Sequence, residues 1–114
     1  MTAEELYSKG FELRCEGRYR EAKLYLQGAL NAEPNHLKAA WQLALIKGFE
    51  GDFDGSLEDL RVLAAANPQT EEIINDLAMT YMMLGYQDEA CAEFHRLLAL
   101  NPNHENALRQ VKFC

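Results

Sequence analysis

The side chains most able to do chemistry in this chain are its three histidines, and their spacing does not assemble them into a site. His36 and His104 each stand two residues after a proline, so we interpret them as equivalent loop positions of a repeating pattern. His95 stands alone within a stretch of helical periodicity, which predicts a partly exposed helix residue. The histidines therefore indicate a repeat rather than acid or base catalysis.

The three cysteines, Cys15, Cys91 and Cys114, are odd in number and far apart along the chain. They show neither the Cys-x-x-Cys spacing of zinc and redox motifs nor a histidine that recurs with them. From this pattern we expect neither a disulfide framework nor a zinc site. Cysteines used in this way are typical of a reducing compartment, so the sequence favours a cytoplasmic protein.

Residues 52–56 begin like a calcium-binding loop, because two aspartates alternate before a glycine. An EF-hand loop needs glycine at its sixth place and glutamate at its twelfth, where this chain has Leu57 and Leu63. We predict instead that the acidic pair, Asp52 and Asp54, caps the helix that follows. A glycine-rich phosphate loop and a nucleophile elbow are also missing from the sequence, so we expect no metal, cofactor or enzymatic activity.

The elements that position these residues follow from a regular repeat of prolines and glycines. Both recur every 34 residues, as Pro34, Pro68 and Pro102 and as Gly17, Gly51 and Gly85. A period of that length is typical of a two-helix unit that stacks on its neighbours. Apolar residues recur at helical spacing on both sides of each glycine, and the residue before each proline leaves the helical region. We therefore predict an all-α fold and a single domain over residues 1–114, with repeats at about 3–36, 37–70 and 71–104 and a capping helix at about 105–112.

The two ends of the predicted repeat array contain residues that predict how the first helix begins and how the third repeat is covered. Thr2 is a candidate N-cap for the first helix. The first residues are acidic and amphipathic rather than basic and then apolar, so we expect no targeting segment, and no apolar run is long enough to span a membrane. In the last segment Leu108 and Val111 are predicted to cover the third repeat.

Residues at fixed positions of each repeat follow a known order of bulky, small and bulky residues that ends in proline. These positions hold Leu6, Lys9, Gly10, Leu13, Ala22, Leu26 and Pro34 in the first copy, Ala40, Leu43, Ala44, Lys47, Ser56, Leu60 and Pro68 in the second, and Ile74, Leu77, Ala78, Tyr81, Ala90, Phe94 and Pro102 in the third. The pattern resembles that of the tetratricopeptide repeat. The resemblance implies a right-handed α-solenoid that works as a protein-binding scaffold, adaptor or chaperone-like module and not as an enzyme.

In tetratricopeptide proteins a second set of positions on the first helix of each repeat lines a concave groove. Here that set is unusually apolar, and it also contains Arg14. Together with neighbouring positions, it gives the candidate peptide-binding groove: Tyr7, Phe11, Trp41, Gln42, Leu45, Phe49, Glu72, Asp76, Met79, Met82 and Met83. Aromatic residues and methionine are enriched at the centres of protein interfaces. We therefore expect a groove for an apolar peptide or helix, with Trp41 and Phe11 as its anchors.

The charge of the chain limits the classes of partner that we expect it to bind. The net charge of −7 disfavours nucleic acid and anionic membranes. Residues 71–104 hold six acidic side chains and one basic side chain, so a basic residue beside the apolar segment of the partner would be complementary there. Chaperone-binding tetratricopeptide domains hold a terminal carboxylate with Lys, Asn and Arg, and none of the matching positions here keeps its residue type: Tyr7, Phe11, Gln42, Glu72 and Asp76. We therefore expect no carboxylate clamp.

Two alternatives stay open at this point. Exposed apolar side chains also serve contact with a second copy of the chain, so a self-associating assembly protein without a dedicated groove is the main competitor. An enzyme that uses His95 or Cys91 is the less favoured one. Mass in solution and titration of Trp41 fluorescence with peptides separate the first alternative from a peptide-binding module.

Overall fold

The computed structural model describes residues 1–114 and contains only helices. Short turns join seven α-helices, and a 3-10 helix follows the last of them. Their bounds are Ala3–Cys15 (α1), Tyr19–Ala32 (α2), Leu37–Phe49 (α3), Phe53–Ala66 (α4), Glu71–Met83 (α5), Gln87–Leu100 (α6), Glu105–Gln110 (α7) and Val111–Phe113 (the 3-10 helix). The predicted all-α fold class is confirmed. None of the helices has the length and apolar character that crossing a membrane requires.

The chain divides into two compact units, which we describe separately. The N-terminal unit comprises residues 1–56 and the C-terminal unit residues 57–114. The boundary falls inside α4, so the N-terminal unit contains α1, α2 and α3 with the first residues of α4. The single domain of three repeats stays a prediction.

Predicted caps begin the helices of the N-terminal unit. The Thr2 hydroxyl accepts a hydrogen bond from the Glu5 N–H at 3.1 Å, and the Glu5 carboxylate accepts one from the Thr2 N–H at 3.0 Å. This reciprocal pair satisfies two backbone donors that the first turn leaves without partners. At α4 the Asp52 carboxylate accepts from the Gly55 N–H at 2.9 Å, which confirms Asp52 as a cap.

Glycine has two uses in the repeat. The turn between paired helices needs a left-handed backbone, and Gly17, Gly51 and Gly85 have φ angles of 78°, 95° and 88°. Side chains with a Cβ seldom adopt that conformation. Gly10 serves close packing instead, because a Cβ there would lie 2.7 Å from Cγ of Leu26 on α2. The closest approach of α1 to α2 therefore depends on the missing side chain.

Small and large apolar residues alternate in the core of the N-terminal unit. The large members, Leu13, Leu26 and Ile46, are at most 2% exposed. They pack with the alanines of the same cluster, Ala22, Ala29 and Ala39. Burying each large side chain stabilises the fold by roughly 1.5–3 kcal/mol, and the alanines let the helices approach.

The core of the C-terminal unit follows the same pattern with a larger central side chain. Phe94 on α6 occupies the repeat position of Leu26 and is 1% exposed. The other buried apolar residues of α5 and α6 are Ile73, Ile74, Leu77, Ala78, Ala90 and Leu97. An aromatic ring at this position fills the space between α5 and α6 that leucine fills between α1 and α2.

The predicted cover of the third repeat is wrong in one residue. The closing helix α7 ends at Gln110, and Leu108 is 44% exposed, whereas Ala107 is fully buried. Leu108 has the repeat position of Leu6, which packs towards Gly28 on the second helix of its own repeat. No second α-helix follows α7 in residues 1–114, so Leu108 lacks that partner.

The expectation that the cysteines form no disulfide is wrong for one pair. Cys91 and Cys114 are bonded, with Cα atoms 5.8 Å apart across a sequence separation of 23, whereas Cys15 is free and exposed. After α7 the chain returns to α6, where the Gln87 amide donates to the Phe113 carbonyl at 3.4 Å. Spacing alone could not show this pair, because it depends on how the chain after α7 returns to α6. The cysteines therefore no longer support a reducing compartment.

Candidate functional site

Five side chains of the N-terminal unit place a guanidinium between aromatic rings. They are Tyr7, Phe11 and Arg14 of α1, Tyr19 of α2 and Phe49 of α3, and we call them the Arg14 cluster. The Cζ atom of Arg14 lies 5.1 Å from the ring centre of Phe11 and 5.6 Å from that of Phe49. At these distances a cation is attracted to a ring face. Phe49 stacks on Tyr19 at 5.6 Å, and Tyr7 lies 6.0 Å from Phe11, so three of the predicted groove residues lie together.

The rings of the Arg14 cluster are open to solvent to different degrees. Phe11 is 38% exposed and Phe49 is 52% exposed. Tyr7 is half-buried; its burial and, as a smaller cause, the charge of Glu4 raise the pKa of its hydroxyl. An aromatic surface with a cation at its centre is suited to holding an apolar side chain next to a negative charge.

His36 has a role that its spacing did not predict. Its Nδ1 accepts a hydrogen bond from the Ala39 N–H at 3.1 Å and so caps α3. Because Nδ1 accepts, the neutral ring carries its proton on Nε2, which donates to the Glu4 carboxylate at 3.2 Å. His104 caps α7 through the same atom at 3.2 Å. The two histidines are therefore repeated helix caps, and their shared position after proline is the signal for this role.

The predicted groove residues of α3 differ in burial. Gln42 is only 4% exposed and shares a buried face with Ala39 and Ile46. Its Oε1 atom is buried without a hydrogen-bond partner. Trp41 and Leu45 are half-buried. Gln42 thus lies in the interior, apart from the exposed rings of the Arg14 cluster.

In the C-terminal unit the candidate surface consists of methionines and acidic residues on α5. Met79 is 37% exposed and Met83 is 63% exposed, whereas Met82 is half-buried. Glu72 is exposed at the start of the same helix, and Asp76 is half-buried. Methionine is flexible and polarisable, so this surface adapts to irregular apolar shapes.

A residue that the sequence analysis did not select borders this methionine surface. The side-chain amide of Asn106 on α7 donates to the side-chain oxygen Oδ1 of Asn75 at 2.7 Å and lies 3.4 Å from Sδ of Met79. Asn106 stands 34 residues after Glu72, so extending the groove positions into the closing helix would have selected it. The closing helix therefore forms one edge of the C-terminal candidate surface.

A cavity of about 390 Å³ in the C-terminal unit contains none of the predicted groove residues. Arg96 lines it and donates to the Ala64 carbonyl at 3.2 Å and to the Glu93 carboxylate at 3.1 Å. Ala64 lacks the usual helical donor, because the residue four positions on is Pro68, which has no N–H. The second arginine of the cavity, Arg61, is also paired with a carboxylate. The charges of this cavity thus serve the fold.

Comparisons with known proteins point to one family. The tetratricopeptide repeat model matches residues 71–104, which are the third predicted repeat. No curated protein matches the chain.

Solved structures share the fold over nearly the whole chain. MamA AMB-1 is 25% identical with a TM-score of 0.79, over 99% of this chain and 62% of that one. The first tetratricopeptide domain of Spaghetti (RPAP3), bound to an HSP90 peptide, is 21% identical with a TM-score of 0.84, over 98% and 89%. A tetratricopeptide repeat protein from Parabacteroides merdae ATCC 43184 is 24% identical with a TM-score of 0.85, over 97% and 44%. This chain thus spans less than two thirds of the MamA chain.

The repeat pattern, the helical architecture and the comparisons therefore agree. Prolines and glycines recur every 34 residues in the sequence, residues 71–104 match the family by sequence, and the structure superposes on members of the family. The fold is one that supports protein–protein interaction, and its members are typically not enzymes. The chain thus matches the tetratricopeptide repeat by sequence over residues 71–104 and has the fold of tetratricopeptide proteins over nearly its whole length.

Proposed function

We propose that this chain is a protein-binding module that holds an apolar peptide or helix of a partner on the first helices of its repeats. The observation that supports this proposal is the exposure of large apolar side chains at the predicted positions in both units: Phe11, Phe49, Met79 and Met83. Neighbouring exposed apolar side chains mark contact surfaces. Aromatic residues and methionine are the types enriched in such contacts. Work as a scaffold or adaptor is the cellular role we propose.

The two units offer the partner different contacts. The rings of Phe11 and Phe49 are held by stacking and by Arg14, so they lose little conformational freedom on binding. The methionines of α5 adapt to the partner, and Glu72 beside them suits a lysine or arginine of the bound segment. The proposed ligand is therefore an apolar segment, with a basic residue where it meets α5.

The proposed ligand differs from a bare terminal carboxylate. The solved domain of RPAP3 holds an HSP90 peptide, and at its level of identity it shares the fold alone with this chain. Where the family resemblance places the clamp cations, this chain has Glu72 and Asp76. Two carboxylates repel an anionic ligand, which favours an apolar segment at this surface.

The test is peptide binding by single-residue variants. A panel of terminally blocked peptides rich in Leu, Phe and Met is titrated against the protein, and binding is followed by the anisotropy of a dye on the peptide. Phe49→Ala is expected to weaken binding about tenfold, because truncating an aromatic anchor typically removes at least 1.4 kcal/mol. The matched control is Leu24→Ala on α2, whose side chain is 72% exposed, and it is expected to leave binding unchanged. Equal losses of peptide affinity in both variants would show that the peptide does not bind on the first helices.

Self-association is the second candidate, favoured by the same exposed rings. Light scattering of the protein alone measures its mass across a range of concentrations. A dimer that Phe49→Ala dissociates, together with no binding from the peptide panel, would assign the surface to a second copy of the chain. A monomer that binds peptides supports the peptide-binding module.

A further inference from the structure

The Arg14 side chain forms no ion pair with a carboxylate, although acidic residues outnumber basic residues in this chain. The sequence has 18 acidic and 11 basic residues, yet the structure gives Arg14 no ion pair and only the faces of two phenylalanine rings. Several carboxylates of the N-terminal unit are engaged elsewhere. Glu4 accepts a hydrogen bond from the neutral His36 ring, and Glu16 and Glu50 form ion pairs with Arg18 and Lys23. Arg14 therefore has no carboxylate paired with it in this unit.

The hydrogen-bonding groups of Arg14 are also incomplete. Its Nε atom is buried and has no hydrogen-bond partner. Its terminal nitrogens are not among the buried atoms without partners, and no protein acceptor lies against them, so they meet solvent beside Phe11 and Phe49. A guanidinium presents its donors in a planar fork that matches the two oxygens of a carboxylate. The cluster thus offers a preformed donor fork between two exposed aromatic rings.

We propose that Arg14 binds a carboxylate of the partner segment, a Glu or Asp side chain that stands next to an apolar residue packed on Phe11 and Phe49. This inference deepens the proposed function and rests on it. Covering the rings excludes water, and a charge-assisted hydrogen bond is stronger when water is excluded. The bound segment is therefore acidic and apolar where it meets α1 and α3.

The charges around the cluster favour a carboxylate over a phosphate group. The nearest other arginine along α1 and its turn, Arg18, is engaged by Glu16 and Glu21. Lys23 is engaged by Glu50. One guanidinium balances one carboxylate, whereas a phosphate group carries nearly twice that charge. Arg14 alone therefore suits the singly charged ligand.

The experiment compares two matched panels of blocked peptides. One panel carries a single Glu between apolar residues, as in Leu-Glu-Phe, and the other carries Gln at the same place. We expect the Glu peptides to bind the parent protein about tenfold more tightly than the Gln peptides, since a charged hydrogen-bonded pair contributes more than a neutral one. In Arg14→Gln the two panels are expected to bind equally. In the matched control Arg18→Gln, which removes the same charge from a paired arginine, the tenfold preference remains.

The other possible results of these titrations each contradict one part of the proposal. Equal binding of both panels to the parent protein would overturn the role of Arg14 and leave the proposed function standing. Binding of neither panel would overturn both. Tighter binding of a phosphoserine panel than of the Glu panel would replace the carboxylate by phosphate. Arg14→Lys keeps the charge and loses the fork, so it is expected to keep only part of the preference, and circular dichroism with thermal melting confirms that each variant is folded.

Discussion

The two units repeat the same framework and carry different chemistry on it. In the N-terminal unit the first helices present aromatic rings around an unpaired arginine. In the C-terminal unit α5 presents methionines and an exposed glutamate, and the unit's Arg61 and Arg96 are paired with carboxylates. The same repeat positions thus serve packing in both units, while the exposed positions diverge. The difference between the two units therefore lies mainly in the side chains that they expose.

The largest expected effect concerns the core position that the two units share. Leu26 and Phe94 have the same repeat position and are both buried. We expect Leu26→Ala to lower the free energy of unfolding by about 2–5 kcal/mol and Phe94→Ala by about 3–5 kcal/mol, measured by urea denaturation. Leu24→Ala, at an exposed site of α2, is the control. A loss below about 1 kcal/mol for either core variant would show that the packing of that unit differs from the structure.

The second effect concerns the disulfide, which is present in the C-terminal unit and not in the N-terminal unit. Cys91 and Cys114 close a loop over α7, and removing a cross-link of that length is expected to cost about 3 kcal/mol, since the unfolded chain gains freedom. Cys114→Ser should lose this stability, while Cys15→Ser, at the free exposed cysteine, should not. Hydrogen exchange is expected to rise first in α7. Equal melting temperatures for Cys114→Ser and the parent protein under oxidising conditions would contradict this account.

The third effect compares an arginine whose hydrogen bonds are satisfied, Arg96, with one that has a buried donor without an acceptor, Arg14. Arg96 satisfies the carbonyl that Pro68 leaves without a donor, so Arg96→Met is expected to destabilise by about 1–3 kcal/mol. Arg14 has a buried donor without an acceptor. Arg14→Met removes that donor, so its stability is expected to be unchanged or higher by about 1 kcal/mol. Chemical denaturation measures both, and a larger loss for Arg14→Met than for Arg96→Met would show that Arg14 stabilises the fold.

The smallest effect is a pH dependence in the N-terminal unit. Burial, and then the charge of Glu4, raises the pKa of Tyr7, so the folded protein holds this proton to a higher pH than the unfolded chain does. Its contribution to stability is full below pH 10 and falls as the pH rises through the pKa of the folded state. Tyr7→Phe is expected to flatten this alkaline loss in thermal melts. An absorbance titration in which Tyr7→Phe removes an early-titrating tyrosine would contradict the raised pKa.

Regular spacing explains how much of this molecule could be predicted from its sequence. The helix pairs, their glycine turns and the caps at Thr2 and Asp52 depend on residues near one another, so the sequence predicted them. The sequence also predicted in part that Phe11 and Phe49 lie near Arg14, because the repeat register placed all three among the groove positions of the first helices. The disulfide of Cys91 with Cys114 and the exposure of Leu108 depend on how the closing helix turns back. That turn has no equivalent in the preceding repeats to reveal it.

The proposed function requires the exposed surfaces of the first helices to bind a protein segment. Backbone amide chemical shifts of the isotope-labelled protein, recorded with and without the tightest Glu peptide of the panel, test it most directly. We predict shifts concentrated at α1 and α3, around Phe11, Arg14 and Phe49, with further shifts at Met79 and Met83 of α5. Shifts concentrated instead on α2, around Leu24, or at the cavity beside Arg61 and Arg96 would show that the peptide binds away from the first helices.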